Sequence, residues 1–241
     1  MQAHSEIDRL KLVYREYRER GWGKTKWSAN RGNAAIRQER EERLRQLLQR
    51  AGFFPLNQQR ILDVGCGSGE TLACFEKWGA SPDNLFGVDL MADRIRRAKE
   101  KFPGINFQEA NAEALPFADG HFDLVSVFTV FTSILDLRMT CNLSREINRV
   151  LRCGGAVVWY DFRMNNPFNP NVRGISRQGI RRMFPKFNAR LVSLTLIPPL
   201  ARRCGPFTDL FYPCLASLPL LRSHYLGLLV KPPTEVPGNG H

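Results

Sequence analysis

Glycine occupies every second position of one short stretch, at Gly65, Gly67 and Gly69, and the acidic Asp63 precedes it. The apolar run before this stretch predicts a buried strand, and a helix is predicted to start near Glu70. Because the turn lacks side chains at its glycines, a ligand can lie directly against its backbone. The unpaired N–H groups of a helix N-terminus favour an anionic ligand group. The stretch predicts a ligand site, and the alternative is a glycine turn that binds nothing.

The spacing of the glycines indicates which kind of ligand to expect. The dinucleotide fingerprint is G-x-G-x-x-G, whereas here the third glycine comes one residue early. The spacing disfavours a nicotinamide cofactor, and the whole turn, Cys66 included, is a candidate cofactor contact.

Polar residues follow the next two predicted strands. Asp89 ends the second strand about twenty residues beyond the glycine turn, where an acid can accept both hydroxyls of a ribose. Asn111 and Glu113 follow the third strand, and an amide or carboxylate there could bind the amino group of an adenine. Together, in this order and spacing, these signals predict a nucleoside-type ligand.

Composition sets outer limits on fold and partners. The chain has 241 residues, 43% of them hydrophobic and 24% charged, which fits a soluble globular protein. The formal net charge of +12 raises the expectation of an anionic partner, namely nucleic acid, a membrane surface or a charged substrate. The alternative is a surface that is merely rich in arginine. The oligomeric state is left open.

The six cysteines include no C-x-x-C pair and no cluster with histidine. Zinc-ligand spacing is therefore absent and no metal is predicted, while the dispersed thiols indicate a reducing, cytoplasmic location. The charged N-terminus is unlike a secretory signal. The longest uncharged apolar run, 210–221, is too short for a membrane span, which needs about 20 residues.

Strands and helices alternate after residue 60, which predicts an α/β fold with a parallel sheet and helices on both faces. We expect strands at 60–64, 84–89, 105–109, 122–128, 155–161, 189–197 and 224–231. We expect helices at 5–20, 35–51, 69–78, 91–101, 138–151 and 176–184, with Gly154-Gly155 closing the helix before the fifth strand.

These elements divide the chain into regions. Residues 1–55 are predicted to form a helical lid, with Trp27 and Arg31 as candidate substrate contacts in or beside its tryptophan-containing loop. The main domain covers 56–231, and its insertion 198–223 is expected to lie over an acceptor site. The tail 232–241 is predicted to be disordered.

The motifs resemble those of the class I S-adenosylmethionine-dependent methyltransferases, and are similar to the branch of the ubiquinone/menaquinone-biosynthesis methyltransferases. The matching segments cover about 40% of the chain and are 62–69 (LDVGCGSG), 87–90 (GVDL), 111–117 (NAEALPF), 122–125 (FDLV) and 146–155 (EINRVLRCGG). The resemblance implies a Rossmann-like seven-stranded sheet in the order 3-2-1-4-5-7-6, with strand 7 antiparallel.

The resemblance also implies roles for individual positions in binding S-adenosylmethionine. Asp63, Gly65 and Gly67 would hold its methionine moiety and Asp89 its ribose. The adenine would lie among Leu90, Met91, Ala112 and Glu113, with Phe128 and Thr129 beneath the sulfonium. Where many relatives carry a histidine, this chain has Phe131-Thr132-Ser133, so no catalytic histidine is expected there.

Methyl transfer is an in-line displacement, so alignment of nucleophile and methyl group supplies much of the acceleration. For a hydroxyl acceptor a general base helps. In the implied topology Asp161 and His224 lie at the ligand edge of neighbouring strands. We predict that His224 is the base and that Asp161 orients it, with Tyr160, Arg163, Asn166 and Arg173 as further acceptor contacts. The alternative is that Asp161 pairs with Arg163 and that His224 only begins a strand.

Three functions compete at this point. The first is methylation of a small-molecule acceptor, with O-methylation of a specialised metabolite, glycan or lipid-like compound favoured. The second is methylation of RNA, suggested by the net charge, although the sequence has no separate RNA-binding module. The third is a non-catalytic scaffold, against which the intact glycine turn and Asp89 argue.

Overall fold

A seven-stranded sheet forms the centre of the protein in a computed structural model that describes residues 5–21 and 29–233. Its strand order is 3-2-1-4-5-7-6, as implied by the resemblance, with β7 antiparallel to both neighbours. The strands are β1 Ile61–Val64, β2 Leu85–Asp89, β3 Asn106–Glu109, β4 Phe122–Phe128, β5 Leu151–Phe162, β6 Asn188–Leu196 and β7 Arg222–Val230.

Helices cover both faces of the sheet. They are α1 Glu6–Glu19, α2 Arg31–Arg50, α3 Glu70–Lys77, α4 Ala92–Lys101, α5 Leu137–Val150, α6 Arg177–Met183, α7 Pro198–Arg203 and α8 Thr208–Ala216. One face packs against α2, α3 and α4 through residues such as Leu48, Phe75 and Ile95. The other packs against α1, α5 and α6, through residues such as Leu10 and Leu143.

Local hydrogen bonds fix where several helices begin. Ser5, Asn30, Asp136 and Ser176 are N-caps whose side chains accept a bond from a backbone N–H in the first turn. The Asn30 cap starts α2 at Arg31, four residues before the predicted start at 35. No helix among the described residues is long and apolar enough to cross a membrane.

The sequence-based expectation for the residues before the fifth strand is wrong. Gly154-Gly155 does not close a helix, because α5 ends at Val150 with the extended Leu151 as its C-cap. Gly154 has a φ of 77° and lies within β5, beside a shift in register between β4 and β5. Its positive φ therefore serves an irregularity in the strand.

The insertion 198–223 is mostly helical and packs on α2. Gly32 of α2 meets the backbone of α7 so closely that an added Cβ would lie 2.1 Å from the Ala201 carbonyl oxygen. Farther along α2, Glu39 accepts bonds from the Tyr212 hydroxyl of α8 at 2.7 Å and from the Thr195 N–H of β6 at 3.2 Å. The insertion and α2 thus form one packed unit at the β6–β7 side of the sheet.

Two expected regions lie partly outside the described residues. These are the loop containing Trp27, of which 22–28 are not described, and the tail beyond residue 233. The predictions that rest on them stay predictions.

The close approach at Gly32 gives a stability test. We expect Gly32→Ala to lower the free energy of unfolding by about 1–3 kcal/mol, because two backbones must separate. This loss opposes a gain of up to about 1 kcal/mol from helix propensity. Urea unfolding measures the difference. Gly104→Ala is the control, since the nearest atom to its added Cβ is 3.6 Å away, and equal stabilities of the two variants would contradict the packing.

Candidate functional site

The glycine turn joins β1 to α3 and is held open by backbone hydrogen bonds. The N–H groups of Gly65 and Cys66 both donate to the Val88 carbonyl of β2, at 2.8 and 3.0 Å. Gly65, Gly67 and Gly69 have φ values of 72°, 56° and 88°, a region that glycine adopts without strain. The conformation of the turn explains why three of its residues are glycine.

The three glycines differ in their surroundings. A Cβ at Gly67 would meet nothing within 4 Å, so this residue borders open space that a ligand can use. At Gly65 it would meet Val130 Cγ2 at 2.7 Å, and at Gly69 it would meet Phe107 Cζ at 2.7 Å. Gly69 is therefore required by packing against β3, and its predicted contact with a cofactor has no support from its position.

Asp89 connects the glycine turn to the start of α4. Its Oδ2 accepts a bond from the Gly67 N–H, its Oδ1 accepts one from the Met91 N–H, both at 2.9 Å, and Arg94 lies 3.7 Å away. Each oxygen keeps a further lone pair that can accept from a ligand hydroxyl. The side chain is 6% exposed, and its two backbone hydrogen bonds fix its orientation.

One cavity brings most of the predicted cofactor residues together. Gly65, Asp89, Leu90, Met91, Asn111, Ala112, Phe128 and Thr129 all line it. Glu113 does not, because its carboxylate accepts a 2.8 Å bond from Asn142 of α5. Thr129 has a φ of 55°, a strained conformation for a residue other than glycine and one that clusters at functional sites.

The cavity also has lining residues that the sequence reasoning missed. Leu10 and Tyr14 of α1 close one side of it, and Val130 and Ser133 follow β4. The Tyr14 hydroxyl is 3.1 Å from the Ser133 hydroxyl, and Arg9 donates to the Ser133 carbonyl. The sequence predicted a helix at 5–20, but nothing in it indicated that this helix meets the turn after β4.

Asp63 and Cys66 lie beneath the turn and are buried. The Ser126 hydroxyl donates to Asp63 at 2.6 Å, and burial raises the pKa of the Asp63 carboxyl to about 7. Burial also raises the pKa of the Cys66 thiol well above its usual range, so this thiol is protonated and unreactive.

Arg40 of α2 is a further residue that the sequence reasoning missed. Its guanidinium carbon lies 5.1 Å from the ring centre of Phe128 and 5.3 Å from that of Tyr160. Arg40 is also close enough to favour the charged form of Asp63. Its Nε is buried and has no hydrogen-bond partner in the described part of the chain. An unpaired buried donor is costly, and an anionic ligand group would satisfy it.

The predicted pairing of His224 with Asp161 does not form. In the β5–β7 register Phe162 is opposite His224 and Asp161 is opposite Tyr225. Because side chains alternate along a strand, the two groups project from opposite faces of the sheet. Asp161 instead accepts bonds from the N–H and hydroxyl of Thr132, the former at 3.1 Å.

His224 is held in an aromatic stack. Its ring is parallel to Tyr160 at 4.6 Å and lies 4.0 Å from Phe162, and its Nδ1 is 2.8 Å from the Ser223 hydroxyl. Burial lowers the pKa of His224 to about 3, so the imidazole is neutral at physiological pH. It does not line the cavity at the glycine turn.

The remaining predicted substrate contacts among the described residues also lie away from that cavity. Tyr160 donates to or accepts from Thr195 at 2.8 Å, and Arg163 bonds Ser193 rather than Asp161. Arg31 pairs with Asp209 of the insertion at 2.6 Å. Asn166 accepts a bond from the Phe168 N–H within its own loop, while Arg173 lines a groove between α5 and α6. Trp27 lies outside the described residues.

The buried Asp161 gives a pH-dependence test. Burial raises its pKa to about 7, whereas an aspartate in an unfolded chain has a pKa of about 4. Folding therefore takes up a proton, and the free energy of unfolding falls as pH rises from about 5 to about 7. Asp63 contributes in the same direction, while Glu146, whose pKa is lowered by its hydrogen bonds with Arg149, stays charged.

We expect Asp161→Asn to flatten this dependence by up to about 1.4 kcal/mol per pH unit, because one of the two protons is no longer taken up. The measurement is urea unfolding at several pH values. Asp83→Asn, at the opposite edge of the sheet, should keep the wild-type slope. An unchanged slope in Asp161→Asn would contradict the raised pKa.

Comparison with known proteins agrees with this geometry. Residues 62–159 match the methyltransferase domain family. A demethylmenaquinone methyltransferase of Chlorobaculum parvum is 31% identical over 129 residues, which are 54% of this chain and 51% of that protein. A ubiquinone/menaquinone biosynthesis C-methyltransferase of Campylobacter jejuni is 28% identical over 107 residues, 43% of this chain and 44% of that protein.

The chain spans about half the length, or less, of these curated relatives. An S-adenosylmethionine-dependent methyltransferase structure from Mesorhizobium loti shares the fold, with a TM-score of 0.58, 18% identity and coverage of 78% of this chain and 96% of that one. Over residues 62–159 the chain is therefore a class I S-adenosylmethionine-dependent methyltransferase domain, similar to the ubiquinone/menaquinone-biosynthesis branch.

Proposed function

We propose that the whole chain methylates a small-molecule acceptor with S-adenosylmethionine. The observation that carries this proposal is the single cavity in which Gly65, Asp89, Asn111 and Thr129 meet. When bound, S-adenosylmethionine supplies an electrophilic methyl group on a sulfonium. The chain's own residues bind S-adenosylmethionine and the acceptor, orient them and exclude water.

Opposite charges are available for the amino-acid end of the cofactor. Arg40 acts electrostatically on the Asp63 carboxyl and favours its charged form. A carboxylate beside Arg40 would pair with the buried Nε, and Asp63 suits an ammonium group. Asp89, with its two free lone pairs, suits the ribose hydroxyls.

The residues around the cavity favour positioning over proton transfer. The ionisable side chains that line it among the described residues are Tyr14, Asp89 and Arg94. Asp89 is already bonded to two backbone N–H groups, and His224 lies elsewhere. The acceleration is then expected to come from alignment of the acceptor with the methyl group.

The preference for a hydroxyl acceptor loses its main structural support because Asp161 and His224 do not pair. The curated relatives include a C-methyltransferase of quinone biosynthesis. We therefore propose an electron-rich ring carbon, as in a quinol, as the acceptor atom. An activated ring needs no strong base before the methyl transfer, and loses its proton afterwards.

The role of Arg40 can be tested by ligand choice. We expect Arg40→Met to weaken S-adenosylhomocysteine binding by about tenfold or more, since a charge-assisted hydrogen bond is lost. Binding of 5′-methylthioadenosine, which lacks the amino-acid tail, should be unchanged. Isothermal titration calorimetry measures both, with Arg45→Met on the exposed side of α2 as the control. An equal loss of affinity for the two ligands would show that Arg40 does not bind the amino-acid tail.

The reaction is tested by supplying radiolabelled S-adenosylmethionine with a panel of quinols, phenols, sugars and RNA. We expect label in a quinol, with mass spectrometry and NMR placing the methyl group on carbon. Asp89→Asn should reduce turnover by about tenfold or more through lost cofactor binding, and Asp83→Asn should not. Label on oxygen or in RNA would overturn the proposed acceptor, and no cofactor binding would overturn the proposal as a whole.

A further inference from the structure

The insertion between β6 and β7 exposes an unusual amount of apolar surface. Ten large hydrophobic side chains are exposed among the described residues, and half of them lie between residues 207 and 220. They are Phe207, Leu210, Phe211, Leu218 and Leu220, exposed by 62%, 64%, 47%, 51% and 84%. We call these five side chains the apolar surface.

The members of this surface lie together around α8. Phe207 and Phe211 are one helical turn apart, and their ring centres are 6.2 Å from each other. Leu210 lies between them on the same side, because residues three and four apart share a helix face. Leu218 and Leu220 follow directly after the helix ends at Ala216.

The opposite side of α8 is already buried. Thr208, Tyr212 and Ala216 are buried, and the latter two pack with Leu196, Ala201 and side chains of α2. The helix is therefore apolar nearly all round, a pattern found where a helix is covered on both sides. In this structure one side is covered by α2 and β6, and the other is open.

The open side is uncharged, and its border is basic. Between residues 204 and 221 the sequence has a single charged residue, Asp209, which is paired with Arg31 at 2.6 Å. Arg203 is exposed at the end of α7. Arg163 donates to the Pro219 carbonyl at 3.3 Å, which brings its charge beside Leu218 and Leu220.

We infer that the apolar surface docks the protein on an anionic lipid bilayer, with Arg163 and Arg203 among the headgroups. Phenylalanine and leucine side chains with a basic border are typical of segments that lie in a membrane interface. The formal net charge of +12 adds long-range attraction to anionic lipid. A second copy of the chain would bring like charges together across a two-fold interface, so charge disfavours that occupant.

The proposed binding is confined to the membrane surface. The helix α8 has 9 residues, far fewer than the roughly 20 that a membrane span needs. Pro213 and Pro219 interrupt the segment, which therefore cannot lengthen into a spanning helix. The inference does not depend on methyl transfer, and binding alone tests it.

The test is sedimentation of the full chain with vesicles. One set contains equimolar phosphatidylcholine and phosphatidylglycerol, and the other contains phosphatidylcholine alone. We expect binding to the anionic vesicles that falls with added salt, and at least about tenfold weaker binding to the neutral ones. The Phe207→Ser/Leu210→Ser/Phe211→Ser variant should bind anionic vesicles at least about tenfold more weakly than the wild type.

Two controls make the outcome decisive. Leu137→Ser removes a leucine that is 67% exposed on α5 and should bind as the wild type does. Leu220→Ser changes a side chain that is 84% exposed and lies outside the α-helices, in the short 3-10 helix Pro219–Leu221, so it tests the same surface if the triple variant is unstable.

Several results would overturn the inference. They are absence of binding to anionic vesicles, equal binding to both lipid compositions, and retained binding by both the triple variant and Leu220→Ser. A fourth such result would come from light scattering. A wild-type dimer that the Leu220→Ser substitution dissociates would show that a second copy covers the apolar surface.

Discussion

The carboxylate of Asp89 holds the candidate site together. It accepts a hydrogen bond from the glycine turn after β1 and another from the backbone at the start of α4. These bonds set the distance between two loops that emerge from neighbouring parallel strands. A bond to a charged acceptor is stronger than one between neutral groups, and its burial at 6% exposure protects it from water. These bonds therefore fix the shape of the cavity at this edge of the sheet.

The two N-terminal helices serve different sides of this site. The helix α1 closes the cavity on one face of the sheet with Leu10 and Tyr14. The helix α2 lies on the other face, where Arg40 reaches Phe128 and Tyr160, and its neighbour Glu39 bonds Tyr212 of the insertion. Adjacent residues of α2 therefore contact the site and the insertion. A displacement of α2 would change both sets of contacts.

Much of the fold could be predicted from the sequence, because strand and helix alternation leaves few possible topologies. The edge of the sheet at which residues gather was also predictable, and Asp89, Asn111 and Thr129 meet there. The face of the sheet on which a side chain lies was harder to predict. Asp161 and His224 reach the same edge, yet a one-residue difference in register places them on opposite faces.

Some features had no usable signal in the sequence. Arg40 lies in a helix with many charged residues, and only the packing of α2 distinguishes it from its exposed neighbours. The insertion could be recognised as apolar, but which of its residues face α2 depended on the close approach at Gly32. Long-range contacts of this kind follow from the shape of the assembled fold and not from local preference.

The thiol of Cys66 has a consequence for the chemistry that the site tolerates. It lies under the glycine turn, and a Cβ added at Gly87 would be 2.9 Å from its sulfur. Three other cysteines, Cys141, Cys153 and Cys214, are exposed. Alkylating reagents and oxidants will therefore modify these surface cysteines before Cys66, and the glycine turn can stay intact in a protein whose exposed sulfurs have already reacted.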